Sequence, residues 1–169
     1  MTNTTAHESK VALRKAVRAA RKLGFQCGEA HSIRLIEIIV RNEIHIVSAY
    51  EEFDNEPSLV YLRDWCSLNG IELLLPSIAN DTELTWSDDQ PLSAAQLIIM
   101  PALAAGRDGS RLGRGKGYFD RAVAGLNTPR VVVVHDSELY DSVPADEFDQ
   151  TVSMVVTCSE CVDIDGRLN

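Results

Sequence analysis

Residues 97–121 read LIIMPALAAGRDGSRLGRGKGYFDR. The apolar run Leu97–Met100, stopped by Pro101, has the length and composition of a buried strand. Beyond it Gly113, Gly115 and Gly117 alternate with Arg114 and Lys116, and Asp120 follows one turn later. Alternate glycines let a backbone fold tightly and bring its N–H groups close to a ligand. The interleaved cations supply charge for an anion, and the carboxylate could hold a metal that the anion shares. The stretch is therefore expected to bind nucleotide phosphate after a strand. It is not a Walker A loop, because Ser110 stands five before Gly115 and Gly117 follows Lys116. Nor is it a dinucleotide fingerprint, since its glycines run G-x-G-x-G. The plain alternative is a basic surface turn, but three alternate glycines with two interleaved cations favour a phosphate site.

Working outward, Ser9–Leu23 has helical spacing, with Leu13, Ala16, Val17 and Ala20 on one face and Lys10, Arg14 and Arg18 stacked four apart. A stack of like charges costs helix stability, which a bound anion would offset. Glu29–Val40 and Pro57–Asn69 read as helices, the latter stopped at Gly70. Ile44–Ala49, Ile71–Leu75, Arg130–Val134 and Ser153–Thr157 read as further strands, and Tyr118–Leu126 as a short helix. Ser77–Gln90 reads as a loop or short edge element. Strands alternating with helices imply a single three-layer α/β/α domain with a mostly parallel sheet over residues 1–169, with residues 1–8 as a flexible tail. In such sheets ligands bind beyond the carboxyl ends of the strands, where the strand at 97–100 delivers its glycine loop.

Composition narrows the function. The chain has 169 residues and a net charge of −9, which disfavours non-specific nucleic-acid binding. Six of its 16 Lys and Arg nevertheless fall within Lys10–Lys22, and a second group runs from Arg107 to Arg121. Two basic regions on an acidic protein suit a small polyanion. No long apolar run or signal core is present, so a cytoplasmic protein with no membrane partner is expected; a monomer is expected as well. Cys158 and Cys161 have zinc-knuckle spacing without a completing pair, so all four cysteines, Cys27 and Cys66 included, are expected to be reduced and structurally incidental. His7, His31, His45 and His135 are scattered and form no ligand pattern.

With the glycine loop placed behind its strand, the chain resembles the 5-formyltetrahydrofolate cyclo-ligase family, whose signature is G-x-R-L-G-x-G-x-G-Y-[YF]-D. Gly109, Arg111, Leu112, Gly113, Gly115, Gly117, Tyr118, Phe119 and Asp120 match it. Lys10–Arg14 resembles the family's K-x-x-L-R helix start. Glu52-Phe53-Asp54 with Pro57, and Glu138-Leu139, Val143-Pro144, Asp149 and Val156-Thr157, resemble its other segments. The resemblance implies ATP- and Mg²⁺-dependent conversion of a reduced folate, 5-formyltetrahydrofolate, into 5,10-methenyltetrahydrofolate with release of ADP and phosphate. It further implies that Lys10, Arg14, Arg111, Leu112, Gly113, Arg114, Gly115, Lys116, Gly117, Tyr118 and Phe119 bind ATP. Arg114 and Lys116 would neutralise the transferring phosphate as catalytic groups. Asp120 would hold Mg²⁺, and Glu52 and Val47 would bind the pterin.

The chain departs from the family pattern in places. Gly106 replaces an acid before the loop, with Asp108 two residues on. A G-I-x-E-P segment is absent upstream of residue 97, and Ser153 and Phe148 replace an acid and a histidine. A paralogue that binds nucleotide or folate without turnover therefore stays open beside the active enzyme, as does a phosphosugar-binding domain.

Overall fold

The structure is a computed structural model that describes residues 3–24, 27–80, 83–86 and 90–168. In chain order its elements are α1 (Asn3–Arg21), α2 (Ala30–Arg41), β1 (Ile46–Ser48), α3 (Val60–Asn69), β2 (Glu72–Leu74), β3 (Ser77–Ile78), β4 (Leu84–Thr85), β5 (Leu97–Pro101), β6 (Ala104–Gly106), β7 (Arg111–Leu112), α4 (Tyr118–Val123), β8 (Arg130–Val133), β9 (Leu139–Tyr140), β10 (Met154–Val156) and β11 (Cys161–Asp163).

Six strands form the main sheet in the order β11-β10-β8-β5-β1-β2. All adjacent pairs are parallel except β10 and β11. The five expected strands are thus the five parallel ones, and β11 adds an antiparallel edge. Because successive side chains of a strand point to opposite faces, β5 feeds two cores. Leu97 and Ile99 join Val131, Val133 and Val156 against α2 and α3, through Leu35, Ile39, Leu59 and Leu62. Ile98 and Met100 join Val132 and Val155 on the other face, where Val123 of α4 packs. A sheet covered on both faces needs continuous apolar strands, which explains why these segments do not alternate with polar residues.

α1 packs elsewhere. Its Val17 joins Leu103, Ala104, Leu112 and Val143 in a third cluster, against a small sheet of order β7-β6-β9. This sheet is formed by residues that the sequence reading left between elements. α1 also starts earlier than expected, at Asn3 rather than Ser9, while residues 1 and 2 lie outside the described residues. α3 starts later, at Val60, and ends where Gly70 takes φ +68°, the left-handed closure that glycine permits. The stretch expected as a loop or edge element contains the β3–β4 pair.

The expectation of incidental thiols fails for two cysteines. Cys27 and Cys158, 131 residues apart, are joined as a disulfide. Cys66 is buried and unpaired, and Cys161 is exposed. The partner of Cys158 comes from the turn before α2, a residue too distant in the chain for spacing to reveal.

Candidate active site

In chain order the sheet grows from β1 to β2 on one side and then restarts with β5 on the other side of β1. The carboxyl ends of β1 and β5 therefore diverge at a switch point, where ligands of open α/β sheets bind. The loop after β1 carries Glu52, Asp54 and Glu56. The chain after β5 turns through β6 and β7 and enters the glycine loop.

The glycine loop has the expected backbone. Gly115 and Gly117 have φ of +106° and +66°, conformations strained for any residue with a Cβ. A Cβ on Gly115 would also lie 3.4 Å from Arg14 Cζ. α1 runs beside the loop and grips its carbonyls: Arg14 Nε donates to Gly113 O at 2.9 Å, and Arg18 Nη2 to Arg114 O at 3.3 Å. Lys10 is buried and its ammonium sits between Asp146, at 2.6 Å, and Asp149. The cation stack of α1 thus finds part of its counter-charge inside the chain. Burial lowers the pKa of Arg14, reinforced by Arg18 and opposed by Asp149 and Asp146.

Lys10, Arg14, the three loop glycines and Asp120 line a cleft of about 450 Å³, closed on its far side by residues 146–150. On the other side of the loop, Arg114, Lys116, Tyr118 and Phe119 line a hollow of about 100 Å³, to which Arg111, Gly113, Gly117 and Asp120 also contribute. The residues expected to bind nucleotide are therefore brought together, but on two sides of one loop. Lys116 is exposed, and Phe119 meets Trp86 edge to face at 6.5 Å. Leu112 is buried in the α1 cluster.

Arg111 is buried, donating from Nη1 to Pro101 O at 2.9 Å and from Nη2 to Asp120 Oδ2 at 2.6 Å. The other Asp120 oxygen accepts from the Gln150 N–H at 3.0 Å. A carboxylate has about four lone-pair positions, so Asp120 keeps acceptor capacity while lining the cleft.

Glu52 and Val47 lie apart from the glycine loop. Glu52 accepts from the Leu59 N–H and from Ser58 Oγ, and pairs with Arg63 at 2.9 Å. Burial alone would raise its pKa, but Arg63 and the backbone donors outweigh it and hold the carboxyl below its ordinary value. Val47 is fully buried in the core on the α2–α3 face. The acids that do reach the loop are Asp54 and Glu56, which Arg114 approaches at 3.5 and 3.4 Å while its guanidinium lies over the Phe53 ring. Glu56 is buried, and burial raises its pKa against the lowering effect of the Phe53 N–H and Arg114. Nothing local marks Glu56, because its importance comes from a partner 58 residues away.

The departures have structural counterparts. A Cβ on Gly106 would fall 2.2 Å from Asp108 Oδ1, 2.3 Å from Ser110 Oγ and 2.9 Å from Ser142 Cα. Asp108 does not stand in for a missing acid at the cleft: its Oδ1 accepts from Ser110 N and Oγ within the turn. Ser153 is buried, its hydroxyl bonded by Arg130 N–H and Arg167. Phe148 is exposed on the cleft wall.

A mostly parallel open sheet with a glycine-and-cation loop and a cleft at its switch point defines the class as open-sheet α/β domains. Within that class, residues 80–158 match the 5-formyltetrahydrofolate cyclo-ligase family. A 5-formyltetrahydrofolate cyclo-ligase of Mycolicibacterium smegmatis is 30% identical, over 77% of this chain and 82% of that protein. The Mycoplasma pneumoniae enzyme of the same name is 25% identical, over 67% and 73%. Among solved structures, a 5,10-methenyltetrahydrofolate synthetase from Aquifex aeolicus superposes with a TM-score of 0.70 at 26% identity, over 94% of both chains. One from Mycoplasma pneumoniae shares the fold with a TM-score of 0.74 at 22% identity, over 92% of this chain and 99% of that one. The chain belongs to the 5-formyltetrahydrofolate cyclo-ligase family.

Proposed function

We propose that the protein catalyses ATP-dependent closure of 5-formyltetrahydrofolate to 5,10-methenyltetrahydrofolate, releasing ADP and phosphate. The observation that carries this reading is the glycine backbone at Gly115 and Gly117, with Arg14 lining the cleft on one side of the loop and Lys116 the hollow on the other, in a chain of this family. A formamide oxygen is a poor leaving group, and phosphorylating it makes it a good one. N10 of the folate then attacks the formyl carbon, and phosphate departs as the ring closes. Such transfers depend on positioning and charge neutralisation more than on covalent help from the protein.

The chain's residues divide that work. The glycine loop and Arg14 would seat the triphosphate, with Arg14 adding its positive charge to the cleft. Lys116 and Arg114 would follow charge as it moves onto the formyl oxygen. Arg114 is drawn to Asp54 and Glu56 at 3.4–3.5 Å only, distances that are long for a charge-assisted bond and easily exchanged for phosphate. Asp120, with acceptor capacity left over, would hold Mg²⁺, and Arg111 would fix its orientation from behind. When bound, the ion would offset charge on the phosphates. Glu52 would offer a carboxylate to the pterin N–C–N edge. Its Oε2 accepts from Arg63 and keeps a lone-pair position, whereas a second pterin contact at Oε1 would displace Ser58 Oγ or the Leu59 N–H.

Purified protein given 5-formyltetrahydrofolate and Mg²⁺ should develop the absorbance of the methenyl product only when ATP is added. Tight ATP binding with no product would instead indicate a paralogue that retains the cleft without the reaction.

A further inference from the structure

Cys27, His31 and Cys158 lie outside the cleft described above and come from the turn before α2, the first turn of α2 and the turn joining β10 to β11. Their ligand atoms all fall within 4.8 Å of one another. The two sulfurs are joined, with Cα atoms 5.8 Å apart, an ordinary separation for a cystine.

His31 is 2% exposed, and its Nδ1 lies 3.2 Å from Cys27 Sγ. Its Nε2 bonds the Ser58 carbonyl. A carbonyl only accepts, so Nε2 carries the ring proton and Nδ1 turns a lone pair toward the sulfur. A disulfide sulfur has no proton to donate to that lone pair. The arrangement is instead the one in which a backbone carbonyl fixes the tautomer of a metal-binding imidazole.

We propose that, when the Cys27–Cys158 bond is reduced, Cys27, His31 and Cys158 bind Zn²⁺ through two thiolates and Nδ1, with water in the fourth position. A thiol reductant supplies the two electrons and two protons: two of its thiols become a disulfide, and Cys27 and Cys158 become thiols. Zn²⁺ then displaces both thiol protons to water. Two thiolates cancel the charge of the ion, which suits a half-buried location. Zinc–sulfur bonds of about 2.3 Å in a tetrahedron place the sulfurs roughly 3.8 Å apart, a spacing that side-chain rotation can supply from this Cα separation. A cleft bordered by Gly28, Asn55 and His135 opens beside Cys27 and His31 and gives water and metal a route. The site excludes the disulfide, so metal and oxidation compete for the same sulfurs. It also touches the loop that carries Glu52, because Ser58 holds His31 by its carbonyl and Glu52 by its hydroxyl.

The test is spectroscopic and independent of folate turnover. Full-length protein is reduced with a phosphine, freed of it without oxygen, and titrated with Co²⁺ and then Zn²⁺. One equivalent of Co²⁺ should give a near-ultraviolet thiolate-to-cobalt band with visible tetrahedral bands, and Zn²⁺ should abolish both. The bands should persist in Cys161→Ser and disappear in Cys27→Ser, Cys158→Ser and Cys158→Ala, with circular dichroism identifying the variants that remain folded. A wild-type protein with no thiolate band overturns the proposal. So does a band that survives in folded Cys27→Ser or Cys158→Ala, a band lost in Cys161→Ser, or a cystine that the phosphine cannot reduce in the folded chain.

Discussion

The Arg114 guanidinium carbon lies 4.2 Å from the centroid of the Phe53 ring. This contact joins the loop after β1 to the glycine loop after β5, so the two walls of the switch-point crevice are coupled through one cation and one aromatic face. A double-mutant cycle with Arg114→Ala and Phe53→Ala should give a coupling of about 0.5–1 kcal/mol in urea unfolding. Strict additivity would show that the stack contributes nothing to stability.

Lys116→Ala should lower turnover by roughly 10²-fold, as for other preorganised donors of positive charge. Its thermal midpoint should stay near that of wild type, because the residue is exposed. Rates within a few-fold of wild type would remove Lys116 from the reaction.

Asp120→Asn should have two effects that separate. Arg111 is buried and relies on Asp120 for its only carboxylate contact among the described residues, so stability should fall by about 1–3 kcal/mol. The Mg²⁺ concentration needed for half-maximal rate should rise more than the folate KM does. A variant that is destabilised but keeps the wild-type Mg²⁺ titration would make Asp120 purely a partner of Arg111.

The five parallel strands could be found from sequence because each is a short apolar run, and β2, β5 and β8 also have Gly or Pro beside them, signals that reside in neighbouring residues. Pro101 and the alternating glycines likewise mark the site locally. What escaped depends on residues distant in the chain. β6 is only Ala104–Gly106 and acquires strand character by pairing with β7 and β9. Arg21 reads as one more cation of a basic helix, yet it is buried against Glu138 at 2.7 Å and donates to Ala102 O. Lys10 is expected at the nucleotide from the family resemblance, while the acids that flank it lie more than 130 residues away. Glu52 is expected at the pterin from the resemblance, and its pairing with Arg63 is not legible until α3 is positioned.

Glu52→Gln tests the pterin assignment by calorimetry with each substrate separately. Affinity for 5-formyltetrahydrofolate should fall by about 1–3 kcal/mol, since ligand donors would lose a charged partner in a partly dry site, while ATP affinity should hold. Equal folate affinity in both proteins would leave Glu52 as a partner of Arg63 and of the start of α3.

Asp146 sets an acid limit on the fold. The Lys10 ammonium, with the Phe148 and Asp149 backbone, holds its carboxyl below the usual carboxylate range. A depressed folded pKa contributes stability above the unfolded value, about 3.9 for Asp, and that contribution is lost as pH falls through the folded value. The stability gap between wild type and Asp146→Asn should therefore be open at about pH 6 and close progressively as the solution is acidified below the unfolded value. A gap that does not change with pH would assign the effect to something other than charge.

The crowding at Gly106 constrains which sequences can be reached from this one. A side chain there would collide with Asp108, Ser110 and the backbone at Ser142, so no single substitution can restore an acid before the loop while the turn keeps its shape. Regaining one would require the 108–110 turn to loosen first, giving up the bonds Asp108 makes to Ser110 and the one Ser110 receives from the Val143 N–H. Positions 106, 108 and 110 should thus change together or not at all. Grafting the acid alone into this chain would unsettle the β6–β7 hairpin before it altered chemistry.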